Sequence, residues 1–342
     1  MAVSLGYVLK RVFYSLLVII GVIVVTYAII IFSPGDPAAR WAGNPRGPGA
    51  ERAIEVARAE LNLDKPLYVQ IPLFVLNVFT GNLGVSISTK TPVLATIWAH
   101  LSSTLELLIF GYLIGIPLGV LLGVYSALRR GTPRGDALES VGFVIANTPS
   151  FWTSMALFLV LAEVLGVSSY GRIDAKLAAA LGFKPITGFY TVDTLLQGDF
   201  ILFLDVLKRI LPPAFVVALY PTGVGIRVVR VMMSEALGED YVRQAVALGV
   251  EKREVIWDYA FRGTVPGLTQ VMGLAFAYSL VDAMVVEYVF GREGLGSLLV
   301  SAVVSNDFKL AASILIVISV FYILANTITD IVQSWIDPRV VL

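Results

Sequence analysis

Val12–Phe32 reads VFYSLLVIIGVIVVTYAIIIF, 21 residues without a charge. As a helix rising ~1.5 Å per residue the run is about 30 Å long, which matches the hydrocarbon core of a bilayer. It predicts a membrane-crossing helix. The run is longer than the apolar core of a signal peptide and ends in the bulky IIIFSPGDP rather than in small residues, so it is expected to remain as an uncleaved anchor. The rest of the chain has the same character: of 342 residues, 57% are hydrophobic and 15% charged, with a mean hydropathy of +0.82. A length that would give one or two domains in water becomes a count of spans in lipid.

Further apolar runs lie at Leu107–Leu128, Val141–Ala162, Ile210–Ile226, Gly263–Val281 and Leu310–Thr329. The expectation is an all-α polytopic protein with six transmembrane helices. The fourth run is short and holds Pro212, Pro213 and Pro221, which a span tolerates when it is packed inside a bundle. Basic residues of the short loops set the orientation. Lys10 and Arg11 precede the first span, Arg129, Arg130 and Arg134 follow the second, and Arg227, Arg230, Arg243, Lys252, Arg253 and Arg262 lie between the fourth and fifth. All share one side if both termini are cytoplasmic in a multi-pass protein of the cell (plasma or inner) membrane. Lys208 and Arg209 then fall on the outer side, so the fourth span either starts near Phe200 or lets them snorkel outward. The chain divides into residues 1–32 (cytoplasmic N-terminus and first span), an outer segment 33–100, and a core 101–342 containing a cytoplasmic loop 227–262.

Cysteine is absent and His100 is the only histidine, which excludes disulfides, thiolate sites and imidazole clusters, so no metal site is expected. The chain carries no GxxxxGK[ST] loop, GxSxG elbow or HExxH helix, so no nucleotide site, cofactor or catalytic residue of its own is expected, and nothing points to nucleic acid. Asn and Gln are scarce, at seven and five, a composition compatible with a thermophilic source.

Within the second span GYLIGIPLGVLLGV places Gly111, Gly115, Gly119 and Gly123 four residues apart on one face. Glycine weakens a helix, and close approach of a neighbouring helix offsets that cost in lipid. The ladder therefore predicts a helix-packing face, within the subunit or against a partner. Glu106 follows Ser103 at the spacing of a capping box, predicting a helix start there. Asp282 and Glu287 fall at the outer end of the fifth span, within reach of water. NTPSFW puts Asn147, Ser150, Phe151 and Trp152 inside the third span, where polar groups face protein or a water-filled route. They are candidates for a translocation path, with a proline kink as the plain alternative.

The most polar block is SEALGEDYVRQAVALGVEKREVIWDYAFRGTVPG, between the fourth and fifth spans. Tyr241, Ala245 and Leu248 recur at helical spacing, and Gly249 ends the helix before a second polar segment. A helix, a turn and a second helix are expected in the cytosol, suited to docking in a groove of a partner.

These residues resemble a known family. EDYVRQAVALGV, followed at the right distance by PGL, is similar to the cytoplasmic loop of ABC-transporter permeases of the dipeptide and oligopeptide importer group, of the first-permease type. The likeness extends over nearly the whole chain through SPGDPA, LNLDKPLYVQ, GNLGVSIST, PVLATIWAHLSSTLEL, NTPSFW, VVEYVFGREGLGSLLVSAVVSNDF and DPR, in order. The resemblance implies the type I importer permease architecture and a chain that is not itself an enzyme. It implies a second homologous permease subunit in a heterodimer, two ATP-binding subunits that hold ATP and Mg, and an extracellular substrate-binding protein. It implies that Asp240, Tyr241, Arg243, Ala245, Gly249, Glu251 and Arg253 contact the ATPase, and that the cargo is a peptide, an oligosaccharide or a nickel complex. The chain departs from the family at Arg243-Gln244-Ala245, where the broader pattern reads Glu-Ala-Ala, at Glu293, where proline is common, and in the longer stretch 167–200, which has no place in that pattern and is read as a lineage-specific outer loop. An ion-coupled secondary transporter is the alternative; it calls for mid-membrane carboxylates and inverted repeats, and neither is evident in the sequence.

Overall fold

The computed structural model describes residues 5–167 and 169–336, so the DPR motif, Asp337–Arg339, lies outside the described residues. Among these, the regular structure is helical, with one isolated bridge between Val85 and Pro92. The helices are α1 (Leu5–Phe32), α2 (Pro37–Trp41), α3 (Ala50–Glu60), α4 (Leu67–Phe79), α5 (Val93–Leu128), α6 (Pro133–Asn147), α7 (Ser150–Leu159) and α8 (Ala175–Ala180). They continue as α9 (Tyr190–Leu196), α10 (Phe200–Ala236), α11 (Asp240–Ala247), α12 (Lys252–Glu254), α13 (Arg262–Val289), α14 (Leu295–Val304) and α15 (Phe308–Ile336). Short π-helical stretches extend α7 through Val164 and join α12 to α13 through Val255–Phe261.

Four helices, Gly6–Phe32, Val93–Leu128, Lys252–Val289 and Phe308–Ile336, are long and apolar enough to cross a membrane, and the pair α6–α7, bent by 95°, makes a fifth if counted as one span. The fourth span expected from sequence lies within α10, which is 37 residues long and carries Asp205, Lys208, Arg209, Arg227, Arg230 and Glu235, and α10 is not among these helices. It is nonetheless the central helix of the bundle, lying along α5.

The glycine ladder explains that pairing. A Cβ on Gly115 would sit 2.7 Å from Pro221 Cγ and 2.8 Å from the Ala218 carbonyl oxygen, and one on Gly119 would sit 3.0 Å from the Thr222 carbonyl oxygen. Gly111 faces Val217 and Gly123 faces Val229 in the same way. All four glycines are thus spent within the subunit, along one α5–α10 seam. The Thr222 hydroxyl donates to the Gly115 carbonyl at 3.2 Å. Pro212, Pro213 and Pro221 remain inside a continuous helix, which a helix packed within a bundle tolerates.

Three apolar clusters stack along the bundle. Val124, Val229, Met233, Leu268 and Met272 fill one end together with Val242 and Ala245 of α11. Leu107, Ile210, Val217, Leu280 and Phe290 fill the next layer, and Val93, Ile97, Leu295, Leu298 and Ile314 the far end. The segment after α1 forms its own small core of Tyr27, Ala38, Trp41, Ala57 and Leu61. Two residues at the start of α15, Asp307 just before it and Lys309 in its first turn, tie this segment to the helix. The Asp307 carboxylate accepts from the Ser86 hydroxyl at 2.6 Å and the Ile87 and Ser88 amides at 2.8 and 3.0 Å, while Lys309 pairs with Glu60 at 2.5 Å.

Two local expectations are corrected. Ser103 and Glu106 do not cap a helix, because α5 already begins at Val93 and both are buried at its middle. Glu287 does not reach water: it is fully buried and accepts from the Gly296 amide at 2.9 Å.

Candidate functional site

The polar block folds as a short helical hairpin against the end of the bundle. α10 stops at Ala236, and Glu239 starts α11 in extended conformation with Asp240 in the first turn, where a carboxylate complements the helix dipole. α11 ends on Gly249, whose φ of 78° lies in the left-handed region. The Gly249 amide bonds the Val246 carbonyl and the Val250 amide the Ala245 carbonyl, both at 3.1 Å, the paired bonds of a Schellman stop. The chain then turns back through Glu251 into α12.

α11 has two faces. Val242 and Ala245 point into the bundle core with Val229, Met233, Val255 and Leu268. Asp240, Tyr241, Arg243, Gln244, Val246 and Leu248 point outward, Leu248 being 84% exposed. The expected contact set therefore needs one correction. Ala245 is 3% exposed and anchors the helix to its own chain, whereas the other six residues of the set, Asp240, Tyr241, Arg243, Gly249, Glu251 and Arg253, are all exposed on the hairpin. Arg243 lies 3.8 Å from Asp240 with both side chains in solvent, a pair worth little by itself and so free to exchange for a partner's charges. Beside it Glu251, Arg253, Glu254, Trp257 and Asp258 line a shallow recess, with Trp257 braced edge-on against Phe261 at 5.2 Å.

The hairpin is mechanically continuous with the bundle. Its inward face touches α10 and α13, and α12 runs into α13 without a break. On the same end of α10, buried Arg230 bonds the Ser126 hydroxyl at 3.0 Å and the Asp136 carboxylate and Gly135 carbonyl at 2.5 Å each, and reaches Glu139 at 3.2 Å. One guanidinium thus fastens α5, α6 and α10 together.

The NTPSFW residues sit at the 95° bend between α6 and α7. The Asn147 amide bonds back to the Phe143 carbonyl at 2.8 Å, Ser150 donates to Asp282 at 2.9 Å, and Phe151 and Trp152 are exposed. Ser150 and Asp282 therefore join α7 to α13, and the two aromatics face away from the subunit's own core.

At the opposite end lies a charged cluster that sequence reading missed. Glu106 of α5 receives Arg172 at 3.0 Å and Arg292 at 3.4 Å on one oxygen. Its other oxygen accepts from the Thr191 amide and hydroxyl, both at 2.8 Å. Arg172 also stacks on Tyr190 at 3.6 Å. Arg172 and Thr191 belong to the 167–200 stretch, which is clamped a second time by Arg209. Arg209 is buried rather than snorkelling, bound to Asp205 at 2.9 Å, Asp174 at 3.2 Å and the Tyr170 carbonyl at 2.5 Å. The only signal in the sequence was an ionisable residue inside an apolar run, which is by default a functional or paired group. Among the described residues no cluster of three or more Asp, Glu or His could hold a metal ion.

The chain matches two family models end to end. Residues 115–342 match the binding-protein-dependent transport system inner membrane component, and residues 4–109 match the N-terminal part of such components. It is 33% identical over 333 residues to the probable D,D-dipeptide transport system permease protein of Escherichia coli K12, covering 97% of this chain and 96% of that one. It is 31% identical to the di/tripeptide transport system permease protein of Pseudomonas aeruginosa, covering 98% of both chains. Similarity to the dipeptide permease of Alkalihalophilus pseudofirmus is 29% over 98% of this chain and 99% of that one.

Proposed function

Since the chain belongs to the family of binding-protein-dependent transport system inner membrane components, and is thus a multi-pass permease subunit of an ABC importer that works with a binding protein and ATPase subunits, we propose that it imports short peptides through a pathway shared with a second, non-identical permease. Two ATP-binding subunits, holding ATP and Mg, drive the complex from the cytoplasmic side. The peptide assignment rests on the relatives named above; oligosaccharides and nickel complexes are the competing cargoes. We further propose that α10 crosses the membrane with the five other spans, both termini cytoplasmic, its charged residues shielded by α5, α6 and the 167–200 stretch.

The observation that carries the coupling assignment is the two-faced α11. A helix outside the apolar bundle buries Val242 and Ala245 in its own subunit and presents Tyr241, Val246 and Leu248 among charges. Apolar anchors ringed by polar groups are the anatomy of a protein contact. ATP binding draws the partner subunits together, α11 follows as a rigid lever, and α10 and α13 move with it, a hinge and rigid-body transition between outward-open and inward-open states. Asn147, Ser150, Phe151 and Trp152 at the bend of α6–α7 are proposed to line the path at the boundary between the two permeases. Leu248→Asp tests the contact. Its side chain touches little in this subunit, so the variant should insert and melt like the parent while capture of the ATPase subunits falls about tenfold or more. Unchanged capture would remove α11 from the interface.

A further inference from the structure

A crevice between the outer end of α1 and the start of α15 leads to an arginine with a missing partner. Its walls are Ile29 and Ile30 on one side and Phe308, Ala311, Ala312 and Leu315 on the other, with Arg40 and Trp41 at its mouth and a volume of about 230 Å³. The lining residues Ile29, Phe308 and Leu315 are 62, 40 and 50% exposed and lie on two helices long and apolar enough to cross the bilayer, so the crevice opens sideways into lipid. Thr26 and Ser33 also line it, but each hydroxyl is spent on a carbonyl of its own helix, Val22 and Ile29.

Arg40 is the remaining polar group. Its Nη2 donates to the Ile30 and Ser33 carbonyls at 2.7 and 2.9 Å, which fixes the guanidinium at the C-terminal end of α1. Its Nε is buried and has no hydrogen-bond partner among the described residues. The nearby Asp36 does not supply one, because its carboxylate is taken by the Ala38 amide and Arg58. A buried donor left unpaired costs about 1–3 kcal/mol. Among the described residues Arg40 has two carbonyl partners and no ion pair, so an anion arriving at this end of α1 meets an uncompensated positive charge.

We propose that this crevice is a phospholipid site in the outer leaflet, an acyl chain lying between α1 and α15 and a phosphate paired with the Arg40 guanidinium. Guanidinium and phosphate are matched in charge and geometry. α1 packs on α15 and on α4 of the outer segment, so a lipid seated here fills the lipid-side gap in that seam and ties α1 to the rest of the subunit.

The test is native mass spectrometry of the full chain, delipidated and offered equal concentrations of phosphatidylglycerol, diacylglycerol with the same chains, and inorganic phosphate. The expected result is a single phosphatidylglycerol held through activation that strips the others, with diacylglycerol retained about tenfold less and inorganic phosphate not retained. Arg40→Ala lowers phosphatidylglycerol retention to the diacylglycerol level. Ala312→Trp, which fills the crevice and leaves Arg40 in place, lowers both lipids and keeps the variant informative if loss of Arg40 harms folding. Equal retention of diacylglycerol, binding of inorganic phosphate alone, or unchanged lipid in Ala312→Trp each overturns the proposal. So does a change in oligomeric mass on Ala312→Trp with lipid unchanged, which would assign the crevice to a second protein chain.

Discussion

Gly115→Ala isolates the seam on which the bundle depends. The added methyl group would meet Pro221 Cγ at 2.7 Å, the Ala218 carbonyl oxygen at 2.8 Å and Ala218 Cα at 3.3 Å. Two of these atoms are backbone and the third is a proline ring, so none can swing aside as a flexible side chain would. α5 and α10 have to separate by several tenths of an ångström along a seam whose neighbouring rungs, Gly111 and Gly119, are as tight. Overpacking of this kind costs typically about 1–3 kcal/mol, and rigid neighbours place it in the upper half of that range. Alanine returns up to about 1 kcal/mol of helix propensity. The net loss is about 1–2 kcal/mol, or roughly 1–3 °C in Tm at ~2.1 cal/mol/K of unfolding entropy per residue. Gly21→Ala in α1 is the control, since a Cβ there meets nothing within 4 Å and only the propensity gain remains. Thermal unfolding of both purified variants in one detergent is the assay. Gly115→Ala should melt lower than the parent and Gly21→Ala at the same temperature or higher. Equal melting of the two variants would refute the seam as the source of the ladder.

Glu106→Gln leaves Arg172 and Arg292 buried without their carboxylate, a loss of roughly 3–5 kcal/mol, and should make the 167–200 stretch the first site of limited proteolysis. Gly249→Val forces a β-branched residue to a φ of 78° in open space, a strain of at least ~1–2 kcal/mol; uptake per ATP hydrolysed should fall, while Gly249→Asn, which tolerates that conformation, should retain it. Burial alone would raise the Asp307 carboxyl, but hydrogen bonds from the Ser86 and Ser88 hydroxyls and the Ser88 and Leu310 amides outweigh it and hold it below the usual carboxylate range. Its stabilisation is therefore complete above the unfolded value near ~3.9 and lost as pH falls through the lower folded value. Protease cleavage in the 86–91 loop should rise below about pH 4, and in Asp307→Asn it should be high at every pH. On the cysteine-free chain, Gly43→Cys should react with an impermeant thiol reagent in intact cells and Thr132→Cys should not; the reverse would invert the proposed topology.

Sequence alone announced what lipid demands. The uncharged run Val12–Phe32 and the four-residue glycine spacing of α5 are patterns within one helix, and each became a helix or a seam where it was expected. The stop at Gly249 was legible for the same reason, since glycine after a periodic run is a local signal. Contacts between distant residues left no such trace. Arg172, Glu106 and Arg292 are brought together from three parts of the chain, and Ser103–Glu106 imitated a helix start because a capping box is only a spacing. α10 was legible in part: its run Ile210–Ile226 stood out, but nothing local showed that Arg209 and Arg230 beside it pair with Asp174, Asp136 and Glu139 elsewhere in the chain. Which face of α11 turns inward was decided by α10 and α13, and that placed Ala245 in the core rather than on the contact surface.

The most direct test of the account is peptide uptake into proteoliposomes that contain this chain with its second permease and ATPase subunits, with the binding protein outside and ATP inside. Uptake of a labelled dipeptide should require ATP and binding protein together, persist when ionophores collapse every ion gradient, and fail in Leu248→Asp while the permease pair remains assembled. Uptake that follows an ion gradient without ATP, or that survives Leu248→Asp unchanged, would contradict it.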